Sequence, residues 1–233
     1  MLKRVEVVSI KMPRTGSESF GEILEDLYPS SELWNFIRHM EFNPKIYDPD
    51  SQFYHDRDFW LKFRTELINF RPYNDFQYVH NHVPVGFFEG VWIRSPRVTF
   101  LREPVSWLLS CYWFAKTIGH IPKEMGVWDY VELDYRQNWM TMFVEDIKLF
   151  DFIGFRETWR NDVAMFIDRF TTYNRTKMEG KMIPTKNVQT DLSYISFRER
   201  MLDDKMFVRR CKKLHKEDYK LYEEAYNVFA TSK

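Results

Sequence analysis

The stretch YVHNHVP places His80 and His82 two residues apart, so on an extended strand both imidazoles project to the same face. Histidine titrates near neutrality and can take a proton from a hydroxyl that is becoming a nucleophile. The pair also suits metal ligation, but zinc needs a third protein ligand and none stands out in the sequence. Two histidines buried for packing alone are the plain alternative.

A second chemical stretch is VVSIKMPRTGSESF, residues 7–20, in which a β-branched run stops abruptly in a polar turn. If a helix begins after Gly16, its free N–H groups and partial positive charge favour a bound phosphate or sulfate. Gly16 permits close backbone approach, Ser17 and Ser19 can cap the helix or donate to oxygens, and Arg14 can fork onto an anion. Lys11 adds a further cation. An ordinary capped helix with a surface arginine uses the same letters. The triphosphate loop G-x-x-x-x-G-K-[ST] does not occur, which argues against kinases and GTPases of that type. A third stretch, VTFLREPVSWLLSCYWF (98–114), ends a strand in Arg102 and Glu103, and Ser110 follows two turns into a helix that Pro104 opens.

These groups need a scaffold, and the 233 residues suffice for one domain with a sizeable core. Hydrophobic residues make up 44% and charged residues 29%, which is globular composition. Lysine plus arginine balances aspartate plus glutamate at 34 each, so no global basic field points to nucleic acid. Any anion site must therefore be local. Two cysteines, Cys111 and Cys211, fit a reducing compartment better than a disulfide framework. No signal peptide and no membrane-spanning stretch is legible, and the expectation is a cytoplasmic protein that does not contact membranes.

Alternation and β-branched content predict strands at 4–10, 75–83, 97–103 and 148–155. Helical spacing predicts helices over 17–28, 30–40, 57–70, 104–118, 159–170 and 215–232. Residues 171–200 are polar and poorly periodic and read as a long loop, mobile in the absence of ligand. Strands alternating with helices imply a three-layer α/β fold, a mainly parallel sheet flanked by helices, in a single domain over 1–233. Ligands collect at the carboxyl ends of such strands, which puts 11–19, 80–84 and 102–110 on the functional rim.

Taken together, the two strand-to-helix corners resemble the cofactor-binding segments of sulfotransferases that use 3′-phosphoadenosine 5′-phosphosulfate. The first family segment typically reads I-P-K-T-[GA]-[SG]-T-[ST] and holds the 5′-phosphosulfate. The second reads L-R-[DE]-P with a serine eight residues after the arginine and holds the 3′-phosphate. The resemblance implies a P-loop-like sulfotransferase fold, with cofactor contacts from Arg14, Thr15, Gly16, Ser17, Ser19, Phe20, Arg102 and Ser110. His80 and His82 look like the H-x-H of the uronyl 2-O-sulfotransferases, which implies His82 as base, His80 as an orienting group, and Arg14 and Lys11 as charge stabilisers without a metal. DFIGFRETWRNDVAMF (151–166) resembles the late strand-helix unit of the carbohydrate sulfotransferases, and EDYKLYEEAYNVF (217–229) their closing helix. Asn138 is similar to an asparagine near the family site. The implied reaction is sulfuryl transfer to a hydroxyl, expected on a sugar or glycan, in an acceptor region that includes 84–92 and Trp113. Animal relatives sit in the Golgi behind an anchor, so the expected source is bacterial or viral. Oligomeric state is not legible.

The sequence departs from that family at two points. Arg14 replaces the usual lysine and cannot readily give a proton to a leaving oxygen. Glu18 replaces a threonine and sets a carboxylate beside the expected anion, unless it turns away or pairs with a cation. These departures leave room for a catalytically degenerate relative that binds the nucleotide or a glycan. A nucleotide-dependent phosphotransferase is the alternative enzyme, with Asp151 as its magnesium ligand. An aromatic-rich binding module, from 21 Phe, 13 Tyr and 8 Trp, is the alternative without catalysis.

Overall fold

The computed structural model describes residues 5–28, 78–82, 84–88, 90, 92–133, 137–170 and 191–230. The helices expected over 30–40 and 57–70 and the 171–190 part of the expected loop lie outside them.

Four short strands form one sheet: β1 (Val7–Ile10), β2 (Tyr78–Asn81), β3 (Arg97–Leu101) and β4 (Phe152–Phe155). The order is β2-β1-β3-β4 and every pairing is parallel. The chain therefore leaves β1 in one direction to β2 and returns past β1 to reach β3. The resulting topological switch point, between β1 and β3, opens a crevice at the carboxyl ends of these strands.

The strands are apolar on both faces because helices cover both. Along β1 and β2, Val7 and Tyr78 pack into one buried cluster and Val8, Ile10 and Val79 into the other, the period-2 division of a sheet with two cores. The first cluster is completed by α1 (Ser17–Leu27) and α5 (Trp159–Phe170). The second is completed by α2 (Pro104–Thr117), α3 (Val127–Val131), α4 (Trp139–Val144), α6 (Leu192–Asp203), α7 (Lys205–Leu214) and α8 (Lys216–Phe229). This is the expected three-layer α/β arrangement. No helix among the described residues is long and apolar enough to cross a membrane.

Helix α6 corrects the reading of 171–200 as loop. Asp191 caps it, its carboxylate accepting from Ser193 N at 2.8 Å, yet only Tyr194 and Met201 are fully buried along it. So sparse a stripe leaves no 3.6-residue signature to read. A second correction concerns the 84–92 segment: Val85 and Phe88 are buried in the core, so these two residues pack rather than face an acceptor.

Helix α8 is fastened by a buried polar seam. Asn138, in the left-handed conformation at φ 56°, accepts from Glu217 N and Asp218 N at 3.2 and 3.4 Å, so it seats α8. Asp218 Oδ1 accepts from Thr141 N and Thr141 Oγ1 at 2.8 and 2.9 Å. His215 Nδ1 lies 3.9 Å from Asp218 Oδ2, both side chains being fully buried. Burial pushes Asp218 up to about 6 and His215 down to about 4.

Gly154 shows how tightly the sheet meets its first helical layer. It pairs with Phe100, and a Cβ on Gly154 would run into the Phe100 ring. That ring is itself fixed against Phe20 and Trp159, with centroids 4.7 and 4.8 Å away, so it has little room to retreat. Gly154→Ala is expected to destabilise the fold by ~1–3 kcal/mol, the usual scale of overpacking a filled core. Urea unfolding of wild type and variant measures this directly, and an unchanged midpoint would mean that Phe100 can move aside.

Candidate anion-binding and proton-transfer site

The described strands each run into a cationic or titratable residue at the same edge of the sheet. Lys11 follows β1, His82 follows β2, Arg102 follows β3 and Arg156 follows β4. Because all strands are parallel, these four residues leave the sheet along one rim, and Leu101 and Phe155 are paired in register just before the two arginines.

The turn after β1 brings the first corner to the second. Arg14 adopts φ 62° and Gly16 φ 96°, two left-handed residues that swing the chain into α1. Only Gly16 tolerates this place, since a Cβ there would lie 2.9 Å from the Trp159 ring. Thr15 is fully buried and donates its hydroxyl to Met12 O at 2.8 Å, locking the turn. Arg14 Nε donates to Ser110 Oγ at 3.3 Å, and Arg102 Nη1 donates to Arg14 O at 3.4 Å. Arg14, Arg102 and Ser110 thus lie together at the switch point.

Other residues of the turn hold it rather than face the cleft. Phe20, expected to contact a cofactor, is 1% exposed and packs on Phe100 and Phe166 at 4.7 and 4.8 Å. An apolar ring at that helical position follows the core, and the expectation is corrected. Ser17 and Ser19 are also buried. The N-cap of α1 is Gly16 without a side-chain cap, so the expected serine capping is absent there.

The two histidines part company. β2 ends at Asn81, so His82 lies in the bend beyond the strand and does not share a strand face with His80. His80 is enclosed, with Nε2–H donating to Ser17 O at 2.9 Å and Nδ1 accepting from Ser9 Oγ at 2.8 Å. Both nitrogens tie β1 and α1 to β2, and burial holds the ring neutral. His82 donates Nδ1–H to Lys11 O at 2.5 Å, which fixes the tautomer and leaves the lone pair on Nε2. Burial, then the Lys11 charge, hold His82 down at about 3. Lys11 is itself buried and forms an ion pair with Glu18 at 2.7 Å. The Glu18 carboxylate is therefore compensated by a cation.

Three residues at this rim escape a reading of motifs. Arg156 Cζ lies 5.5 Å from the centroid of Trp159, the ring that abuts Gly16. Tyr194 of α6 accepts from Arg102 Nη2 at 3.4 Å, and Arg198 Nη2 donates to Ser106 Oγ at 3.3 Å. A signal for Arg156 was present, because Leu-Arg-Glu at 101–103 is echoed by Phe-Arg-Glu at 155–157. Burial lowers the pKa of both Arg14 and Arg156, and the charge of Arg102 acts on each in the same sense. Among the described residues, none of Arg14, Arg102, Arg156 and Arg198 forms an ion pair with a carboxylate. Arg14 instead lies 4.5 Å from the centroid of the Phe114 ring.

Two further residues singled out in the sequence have these places. Asp151, the magnesium ligand of the phosphotransferase alternative, precedes β4 and accepts from Arg97 N at 2.9 Å, at the opposite edge of the sheet. Trp113 packs α2 against α6, its ring centroid 5.6 Å from Tyr194 and 5.2 Å from Phe197. No group of three or more His, Cys, Asp or Glu among the described residues is arranged to hold a metal.

No protein-family model matches this chain, and no curated protein matches it. Its chemistry must be argued from the site.

The His82 environment has a measurable consequence. A base whose pKa is depressed in the folded state stays neutral until the pH falls to that lower value. The His82 ring resonances of the free protein are therefore expected not to titrate between pH 5 and 8, whereas Lys11→Met should move its midpoint upward. NMR of ring-labelled histidine reads both; a wild-type midpoint near neutrality would show that neither burial nor Lys11 holds the ring down, and an unmoved midpoint in Lys11→Met that the ammonium does not act on it.

Proposed function

We propose that this chain is a sulfotransferase that takes 3′-phosphoadenosine 5′-phosphosulfate as donor and a hydroxyl, expected on a sugar or glycan, as acceptor. The observation that carries the reading is the convergence of Arg14, Ser110 and Arg102 at the switch point, with no carboxylate among the described residues paired to either arginine. Half-buried guanidinium groups repel one another, and a ligand with negative charge at two ends relieves that repulsion. The residues fit such a ligand. Gly16 has no space for a side chain at the point of close approach, and α1 begins without a side-chain cap.

When bound, this nucleotide supplies an activated sulfuryl group whose bond to the 5′-phosphate breaks as the acceptor oxygen attacks sulfur. The protein does the rest. Arg14, Lys11 and the N–H groups opening α1 sit where charge grows on the leaving phosphate, and their positions are set before reaction. Arg102 and Ser110 grip the 3′-phosphate. His82 Nε2 takes the acceptor's proton, its orientation fixed by the bond from Nδ1–H to Lys11 O. In the free protein His82 is a weak base because of burial first and the Lys11 charge second; negative charge placed beside Lys11 offsets the second of these and moves His82 upward. Because Arg14 stays protonated, Lys11 is the cation able to give a proton to the leaving oxygen.

The test is a thermal-shift titration with adenosine 3′,5′-bisphosphate, ATP with magnesium, and buffer. Metal-independent stabilisation by the bisphosphate is expected, with Arg102→Ala weakening its affinity about ten- to hundredfold, the loss of a charge-assisted contact. Stabilisation by ATP with magnesium alone, or an unaltered Arg102→Ala affinity, would sink the assignment. His82→Ala is expected to lower turnover by about 10²–10⁴-fold while bisphosphate binding persists. Retained turnover in that variant would place the base elsewhere.

A further inference from the structure

Arg102 and Arg156 are each followed in the chain by a glutamate, Glu103 and Glu157. Since β3 and β4 run in register to Leu101 and Phe155, both Arg-Glu pairs leave the sheet side by side. Guanidinium and carboxylate groups so close, at a half-buried edge, ordinarily pair and cancel. Here they do not: among the described residues neither arginine forms an ion pair.

The carboxylates are held by other partners. Tyr219 OH donates to Glu103 Oε1 at 2.6 Å, and Tyr222 OH donates to Glu157 Oε2 at 3.1 Å. The two phenols are three residues apart on α8 and so share one side of it. Backbone donors complete the capture. Glu103 accepts from Val105 N and Ser106 N at 3.2 and 2.7 Å, capping α2, and Glu157 Oε1 accepts from Glu103 N at 2.9 Å. Burial, then the facing carboxylate, push both phenols above their usual value, so they remain donors.

We propose that Tyr219 and Tyr222 are positioning residues for anion binding: by engaging Glu103 and Glu157 they keep both carboxylates out of ion pairs with Arg102 and Arg156, which can then take a phosphate monoester or similar dianion. The identity of that ligand as a nucleotide rests on the sulfotransferase reading, whereas the withholding of the carboxylates applies to any dianion. Loss of a phenol leaves its glutamate held by backbone donors alone, and one carboxylate oxygen can then turn towards the neighbouring arginine and compete with the ligand. Replacing that glutamate by glutamine removes the competitor.

The experiment is calorimetric titration of the full chain with inorganic pyrophosphate and, separately, with adenosine 3′,5′-bisphosphate. Tyr219→Phe and Tyr222→Phe are each expected to weaken binding about three- to fivefold, the scale of a partly exposed ion pair gained by the competing carboxylate. Tyr222→Phe/Glu157→Gln and Tyr219→Phe/Glu103→Gln should return to within about twofold of wild type, a rescue that mere loss of packing cannot produce. Phe variants that bind like wild type, or that lose unfolding temperature at constant affinity, overturn the proposal, as does failure of the glutamine rescue. Wild type that binds pyrophosphate but not the bisphosphate refutes the sulfotransferase reading and leaves this inference readable on pyrophosphate. Wild type that binds neither overturns both.

Discussion

Uncompensated positive charge at one edge of the sheet is the constraint around which this molecule is built. Arg14, Arg102 and Arg156 are partly withdrawn from water, and Arg102 lowers the pKa of the other two. Such an arrangement costs free energy in the empty protein and persists only if the surrounding structure holds each guanidinium in place. The holding is done by neutral groups: a serine hydroxyl and a phenyl ring for Arg14, a backbone carbonyl and a tyrosine for Arg102, an indole for Arg156. Neutral partners orient a cation without discharging it.

The topology makes this possible. A parallel sheet with its switch point between β1 and β3 sends successive strand ends into one crevice, so residues about 90 positions apart in the chain meet without a dedicated loop. The rigid aromatic layer beneath, Phe20, Phe100, Phe166 and Trp159, fixes the angle at which α1 and α5 leave the rim. His80 joins the same support from the β2 side through Ser9 and Ser17. Much of what surrounds the site is therefore there to keep the turn at 11–16 in one conformation.

What the sequence disclosed and what it concealed follow from the range of the interactions. The strands carry β-branched and aromatic runs, and all four were legible, as was the strand-turn-helix after β1. Arg14, Arg102 and Ser110 could be singled out because local motifs surround them. Phe20 misled, since a ring next to a polar motif is read equally well as wall or as floor. The separation of His80 from His82 was hidden because periodicity gives the face of a strand but not the residue at which it ends. Helix α6 and its Tyr194 and Arg198 were hidden by a nearly stripeless sequence, in which only two side chains reach the interior. The tyrosines of α8 were visible as helix formers, but their hold on Glu103 and Glu157 spans 116 and 65 positions and belongs to tertiary structure alone.

The seam between His215 and Asp218 carries one more consequence. Through mildly acid conditions an unfolded chain would hold the aspartate ionised and the histidine charged, whereas the folded protein holds both neutral, with values near 6 and 4. The raised aspartate contributes stability that fades as pH climbs through 6, and the lowered histidine contributes stability that fades as pH drops through 4. The two slopes are opposite in sign and overlap, so the dyad's own contribution to folding is nearly indifferent to proton concentration across the interval between them. The C-terminal helix is in this way moored by two ionisable groups whose pH dependences cancel one another in that interval.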